Sequence, residues 1–339
     1  MENELKLKHK ISVITTFYNA EAFLLNAVNS VFVQKIPEFV EIEYVIVDDK
    51  SPDNSRKILE NYIADHNKAG FVWKLIEPDK NLGCGGARKF GIENATGDYF
   101  MFLDADDYYL HIDFIQNAYE TITNDKADVV EYGVIYNQQN GQKSNSTAPE
   151  KIILTNPHDM EMALFRDNLI KFNVWSKIYT KEIVHCYPYS DVRTFEDVRT
   201  IPVWISRCKK VVIMPIPQIN YRAASNSIIR TNWIDTRLGT ISAIAELFPL
   251  FKDDMELLQA MYTRSMIDLE AVLNNKSSEC EGFDEMSKLN TIMLQYLYPD
   301  KWQQLTYNVE LDPELNKNLK QEIRNKYLKT DLNNLPGMN

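Results

Sequence analysis

Cysteine is scarce in this chain of 339 residues. Its four copies, Cys84, Cys186, Cys208 and Cys280, show no metal-ligand spacing and are too few for a disulfide-built scaffold. Reduced thiols in a cytosolic protein fit them best. Long apolar runs are also missing. None approaches the ~18 residues that a membrane-spanning helix needs, and the opening MENELKLKHKIS has no apolar signal region. A cytoplasmic protein is expected, with a peripheral contact at the inner face of the membrane left open. Positive charge is in deficit: 37 Lys and Arg against 48 Asp and Glu leave a net charge of -11, which argues against a nucleic-acid partner. Internal repeats and low-complexity stretches are absent.

What is present is an ordinary globular composition, 45% hydrophobic and 25% charged. The length suffices for two domains, or for one domain with a helical extension. Apolar, β-branched runs at Ile11 to Thr15, Tyr44 to Val47 and Val72 to Ile76 read as strands. Helical patterns lie between them, one opened by Asn19 as N-cap and one starting at Asn54 or Ser55. This alternation predicts an α/β fold, a mostly parallel Rossmann-like sheet with helices on both faces. Ligands then bind beyond the carboxyl ends of the strands, where Thr16, Asp49 and Asp106 fall. Farther on, the pattern predicts a helix over 111–123, a strand over 128–136 and a hairpin tip or loop over 137–150. Short helices follow over 159–166 and 195–206, then a strand over 210–214. From Asp235 onward only amphipathic helices are read, including one carrying Met266, Leu269, Val272 and Leu273 and one carrying Leu315, Leu319 and Ile323. The expected division is 1–110 and 111–235 as two halves of one α/β domain, with 236–339 as a C-terminal helical extension.

The densest chemistry lies in NLGCGGARKFGIENATGDYFMFLDADD, residues 81–107. A glycine-rich turn at Gly83, Gly85 and Gly86 opens a short helix, and Gly97 is expected to close it in the left-handed conformation. The run Tyr99 to Leu103 reads as a buried parallel strand. It ends in Asp104, Asp106 and Asp107. Carboxylates at the end of an apolar strand are costly without a positive partner. On an extended backbone Asp104 and Asp106 point the same way, a pair of oxygen ligands suited to Mg²⁺ or Mn²⁺. Asp107 points the other way and is expected to cap the next helix. The GCGG run is not a dinucleotide GxGxxG and does not follow the first strand.

Six stretches, ISVITTFYNAEAFL, YVIVDDKSPDNS, the 81–107 segment, VWSKIYTKE, FEDVRT and INYRAASNSI, resemble family-2 glycosyltransferases of the GT-A fold. They occur in the family's order over residues 11–230. One departure is Thr16, where the family often carries proline. The resemblance implies an inverting enzyme that moves a hexosyl or N-acetylhexosaminyl group from a UDP-sugar to a hydroxyl of a glycan or other acceptor. It implies that Thr16 and Asp49 contact uracil or ribose, that Arg88 lies near the nucleotide or sugar, and that Asp104 approaches sugar hydroxyls. Asp106 would bind the metal. Arg222 and Ser227 would reach the diphosphate from a mobile loop. Asp197 would be the catalytic base, with Glu196 orienting the acceptor or a neighbouring group. Some relatives supply a histidine ligand after the Glu-Asp motif; here no histidine follows His185.

Trp175 is a candidate platform for an acceptor sugar, and a core tryptophan is the competing account. Two other functions are weighed. A sugar nucleotidyltransferase would need a basic, glycine-rich loop after the first strand, which TTFYNAEAF is not. A non-catalytic carbohydrate-binding protein would have lost carboxylates that are all present here. The apolar helices of the tail predict a homodimer interface or an acceptor-docking surface.

Overall fold

The computed structural model describes residues 9–137, 142–222, 233–275 and 292–297. Four parallel strands form its first half: β1 (His9–Phe17), β2 (Val40–Asp48), β3 (Phe71–Ile76) and β4 (Tyr99–Phe102), in the order β3-β2-β1-β4. Ile11, Val13, Ile14 and Val45 to Val47 are fully buried, as expected of strands covered on both faces. Three helices make the crossovers: α1 (Leu24–Phe32), α2 (Ser55–Asp65) and α3 (Gly83–Asn94). The chain order reverses direction between β1 and β4, the kind of switch point at which open sheets bind ligands.

Two local expectations fail. Asn19 does not cap α1: it has φ 54° and the helix begins five residues later, after a turn. Gly97 is not left-handed, because α3 ends at Asn94 with an extended Ala95. Gly97 is instead required by close approach. A Cβ there would lie 2.6 Å from the Ser12 hydroxyl oxygen, which accepts the Gly97 N–H at 2.9 Å.

The second half continues the same sheet. After β5 (Tyr108–Tyr109) and α4 (Phe114–Asn124) comes β6 (Val129–Asn137), paired with β7 (Lys143–Ser146) as a hairpin. β8 (Ile152–Leu154), α5 (Pro157–Phe165), β9 (Lys177–Thr180), α6 (Lys181–Cys186), α7 (Glu196–Ser206) and β10 (Val211–Arg222) complete it. β9 joins the halves, antiparallel to both β4 and β6. The sequence shows it only weakly, since KIYT is four residues long and opens with a lysine. β10 runs eight residues past the expected Met214 and absorbs Pro215 and Pro217 at a register shift against β6. Arg222 therefore ends a strand.

Residues 1–160 and 169–224 form one compact unit, and residues 161–168 and 225–339 another. In the second unit α8 (Trp233–Leu247) and α9 (Met255–Asn275) bury Ile241, Ile244, Leu247, Leu257, Leu258 and Met261. The Asp254 carboxylate accepts the Leu257 N–H at 2.9 Å and caps α9. The expected helix with Leu315, Leu319 and Ile323 lies outside the described residues, as does Cys280. Among the described residues, no helix is long and apolar enough to cross a membrane.

Candidate functional site

The ends of β1, β2 and β4 bring the first set of candidates to one sheet edge. Thr16 sits half-exposed near the end of β1, in register with Val47. Asp49 follows β2 directly, and its N–H donates to the Phe17 carbonyl at 2.9 Å. Its side chain is buried and reaches the start of α3, not the turn that follows it in sequence. One carboxylate oxygen accepts the Leu82 N–H at 2.7 Å and the other the Gly83 N–H at 2.8 Å. Burial pushes this carboxyl up, while those two N–H groups and Arg193 pull it down. Asp48 performs the local capping, accepting the Ser51 N–H at 2.8 Å. Gly83 enters the helix at φ +76°, and a side chain there would strike Arg193.

The acidic run lies at the end of β4. The strand stops at Phe102, and Asp104 to Asp107 form a turn closed by the Asp107 N–H and the Asp104 carbonyl at 3.1 Å. The alternation of an extended backbone thus does not extend to these residues; the turn itself gathers the carboxylates. Burial first and the Asp104 charge second push the Asp106 carboxyl up to about 6. Asp107 is fully buried. It does not cap α4: one oxygen accepts the Arg222 N–H at 2.8 Å, tying the turn to the end of β10. The other oxygen has no hydrogen-bond partner among the described residues. Burial and the two neighbouring carboxylates hold its proton well above the usual carboxylate range. Asp104 and Asp106 offer hard oxygen donors, with the partnerless buried oxygen of Asp107 beside them, a donor chemistry that fits Mg²⁺ or Mn²⁺. Arg222 lies beside it with its guanidinium 4.8 Å from the centre of the Phe23 ring. Ser227 lies outside the described residues.

Arg88 connects this turn to the Glu-Asp motif. It projects from α3 and is buried. One terminal nitrogen donates to Asp104 Oδ1 at 2.5 Å and the other to Glu196 Oε1. Burial opposes its charge, but Asp104 and Glu196 hold it firmly protonated. Glu196 is the first residue of α7, and the preceding Phe195 is left-handed at φ 61°. Asp197 is half-buried, and its carboxylate accepts the Val198 N–H at 2.8 Å. Burial, then the Glu196 charge, push the Asp197 carboxyl up to about 7 against the pull of Arg88. That matches a base working near neutral pH.

The sequence does not anticipate the buried ion pair of Lys177. Lys177 is wholly buried against Glu131, 3.5 Å away across the β6–β9 ladder. Its ammonium also donates to the Lys171 and Asn173 carbonyls at 2.8 and 2.6 Å, closing the 171–177 segment around itself. Burial pushes Lys177 down and Glu131 up, and each partner opposes the other's shift. The buried Trp175 projects from that segment. Tyr221 stacks on it with centroids 5.7 Å apart and planes 12° apart, and Tyr136 tilts against Tyr221 at 5.4 Å. Tyr136 and Tyr221 are the half-exposed members of this aromatic set.

Comparison with known proteins gives these residues a context. The profile described as Glycosyl transferase family 2 matches residues 12–187. The chain is 25% identical over 231 residues to glycosyltransferase GlyG of Streptococcus pneumoniae, across 66% of this chain and 74% of that one. It is 36% identical over 99 residues to the teichoic acid poly(glycerol phosphate) polymerase of Staphylococcus epidermidis, across 29% of this chain and 13% of the polymerase. A third relative is the poly(ribitol-phosphate) β-N-acetylglucosaminyltransferase TarS of Staphylococcus aureus, 32% identical over 121 residues, 36% of this chain and 20% of that one. The chain thus matches only a small part of the length of the last two. Residues 1–349 of TarS, crystallised with UDP-GlcNAc, superpose with a TM-score of 0.67 at 18% identity over 93% of this chain and 92% of that structure. A mannosyltransferase of Pyrobaculum calidifontis bound to GDP-Man and Mn²⁺ gives 0.54 at 16% identity, over 96% and 89%. These superpositions establish the GT-A fold. With the family profile covering more than half of its length, the chain belongs to glycosyl transferase family 2.

Proposed function

We propose that this protein transfers a hexosyl or N-acetylhexosaminyl group from a UDP-sugar to a hydroxyl of a glycan or related polymer, assisted by Mn²⁺ or Mg²⁺, with inversion at the anomeric carbon. The observation that carries this reading is the meeting of two kinds of carboxyl group at one sheet edge. The Asp104–Asp107 turn offers metal-binding oxygens, and Asp197 offers a base with its carboxyl near 7, the two joined through Arg88 and Glu196. The donor class is supported by the TarS structures with UDP and UDP-GlcNAc, and the metal by the mannosyltransferase with Mn²⁺. The name of TarS describes a β-linked product on a polyol-phosphate polymer, which is the outcome of inversion from an α-linked donor.

When bound, the cation supplies Lewis-acid charge to the departing diphosphate. Asp106, with Asp104, would hold it. Thr16 and Asp49 face the uracil and ribose, and Arg222 with Ser227 adds positive charge and a hydroxyl at the diphosphate. Asp197 takes the proton from the acceptor hydroxyl on the face opposite the leaving group, and Glu196 orients it. Trp175 backs Tyr221 on the acceptor side, where aromatic faces suit the C–H bonds of a sugar ring.

The test is calorimetric titration with UDP in Mn²⁺ and in excess chelator, alongside hydrolysis of UDP-glucose, UDP-galactose and their N-acetyl forms. The wild type is expected to bind UDP more tightly with Mn²⁺, and Asp106→Ala to lose that difference. Equal UDP affinity in chelator and in Asp106→Ala would remove the metal from the mechanism.

A further inference from the structure

Arg88 bonds the protein itself through both of its terminal nitrogens. One is committed to Asp104 on the β4 side and the other to Glu196 at the start of α7. Its side chain is 7% exposed, and Cys84 and Tyr189 stand near it beside the two carboxylates. The neighbouring backbone is built to allow the span. A Cβ on Gly85 would lie 2.2 Å from the Val192 carbonyl oxygen, 2.6 Å from that of Ser190 and 2.9 Å from Glu196 Cβ. A Cβ on Gly91 would lie 2.7 Å from Ile14 on β1. α3 is thereby pressed onto the sheet with one glycine and onto the 190–196 segment with another, and Arg88 lies between them in sequence. The segment is pinned further by Thr200, whose hydroxyl donates to the Glu196 carbonyl at 2.7 Å and accepts the Ser190 N–H at 3.0 Å.

We infer that Arg88 is a strut that fixes the base-bearing end of α7 relative to the acidic turn after β4, acting on transfer by position and not by contact with the nucleotide. This rests on the donor and base assignments proposed above. A guanidinium suits the task because it keeps its charge when buried and offers separate nitrogens in a rigid plane. Lysine presents one ammonium and cannot reproduce two divergent bonds. Loss of Arg88 leaves Glu196 buried beside Asp197 and Asp104 beside Asp106 without their shared cation, so both sides of the site are disturbed together.

The experiment is a double-mutant cycle of Arg88→Met, Glu196→Gln and both, with Arg88→Lys beside them. Each protein is titrated with UDP and Mn²⁺ and assayed with whichever of the four UDP-sugars the wild type hydrolyses fastest. Each single substitution is expected to lower kcat by roughly 10²-fold, with the UDP Kd within about 3-fold of wild type. The double variant should fall no further than the worse single variant, because the strut is already broken. Arg88→Lys should not restore kcat. Multiplying losses in the double variant, a tenfold weaker UDP Kd in Arg88→Met, or recovery with lysine would each overturn the strut. Should Arg88→Met not fold, the isosteric Glu196→Gln with Arg88→Lys decides the same question. A wild type that binds no UDP would overturn the donor reading itself, a result separate from any outcome of the cycle.

Discussion

Asp197 and Asp106 differ in what their protons must do. Asp197 acts as a base only when ionised, and its carboxyl is pushed up to about 7 in the free protein by burial and by Glu196. The value of kcat/KM reports groups of the free enzyme, so it should rise with pH and level off above about 7. Asp106, raised to about 6 by burial and the Asp104 charge, must also be ionised to ligate a cation. Mn²⁺-dependent UDP binding is therefore expected to weaken below about pH 6, a full unit under the kinetic limb. Titrations and rates measured from pH 5 to 9 separate the two. Asp197→Asn should keep UDP binding and lose roughly 10²–10⁴-fold in turnover. Transfer within a few-fold of wild type would move the base elsewhere.

At the scale of the element, α3 organises the site more than any strand does. Its first N–H groups are held by Asp49, its middle carries Arg88, and its glycines set how closely it lies against its neighbours. Gly85 is the most sensitive point, because its added Cβ would collide with two backbone carbonyls, which cannot rotate away. Gly85→Ala should cost about 1–3 kcal/mol by overpacking and displace Glu196 and Asp197 with the loop. Gly86→Ala meets chiefly the Leu82 side chain, which can move, so its melting temperature should fall less. Equal melting temperatures for the two variants, with full activity, would show that α3 tolerates a looser fit.

At the scale of the molecule, every described candidate residue belongs to the unit built on one continuous sheet, and the chain after Ala224 forms part of a second unit. That unit buries apolar side chains of α8 and α9, among them Ile244, Leu257 and Met261. It is proposed to serve dimerisation or acceptor docking. Sedimentation of the full chain is expected to show a dimer, and truncation after Thr236 to abolish either the dimer or transfer to a polymeric acceptor. A truncated protein that stays soluble, monodisperse and fully active would exclude both roles.

The parallel half of the sheet was legible in the sequence because strands buried on both faces are written as unbroken apolar runs, and Ile11 to Thr15 or Tyr44 to Val47 admit few other structures. The family was legible in six short motifs, since carboxylates at strand ends are costly unless chemistry requires them. β9 was not legible: four residues opening with a lysine look polar until Glu131 is found across the ladder. Nor could local pattern show that Asp49 reaches 33 residues ahead to Leu82, that Arg88 reaches 108 ahead to Glu196, or that Tyr221 covers Trp175. Sequence by itself determined which residues can ligate, accept a proton or fill a core, because those are properties of single side chains and of local period. Tertiary structure decided which of them are desolvated and which charges stand beside them. Carboxyl groups near 6 and 7 at Asp106 and Asp197 arise from that environment, since burial and neighbouring charge depend on contacts between residues far apart in the chain.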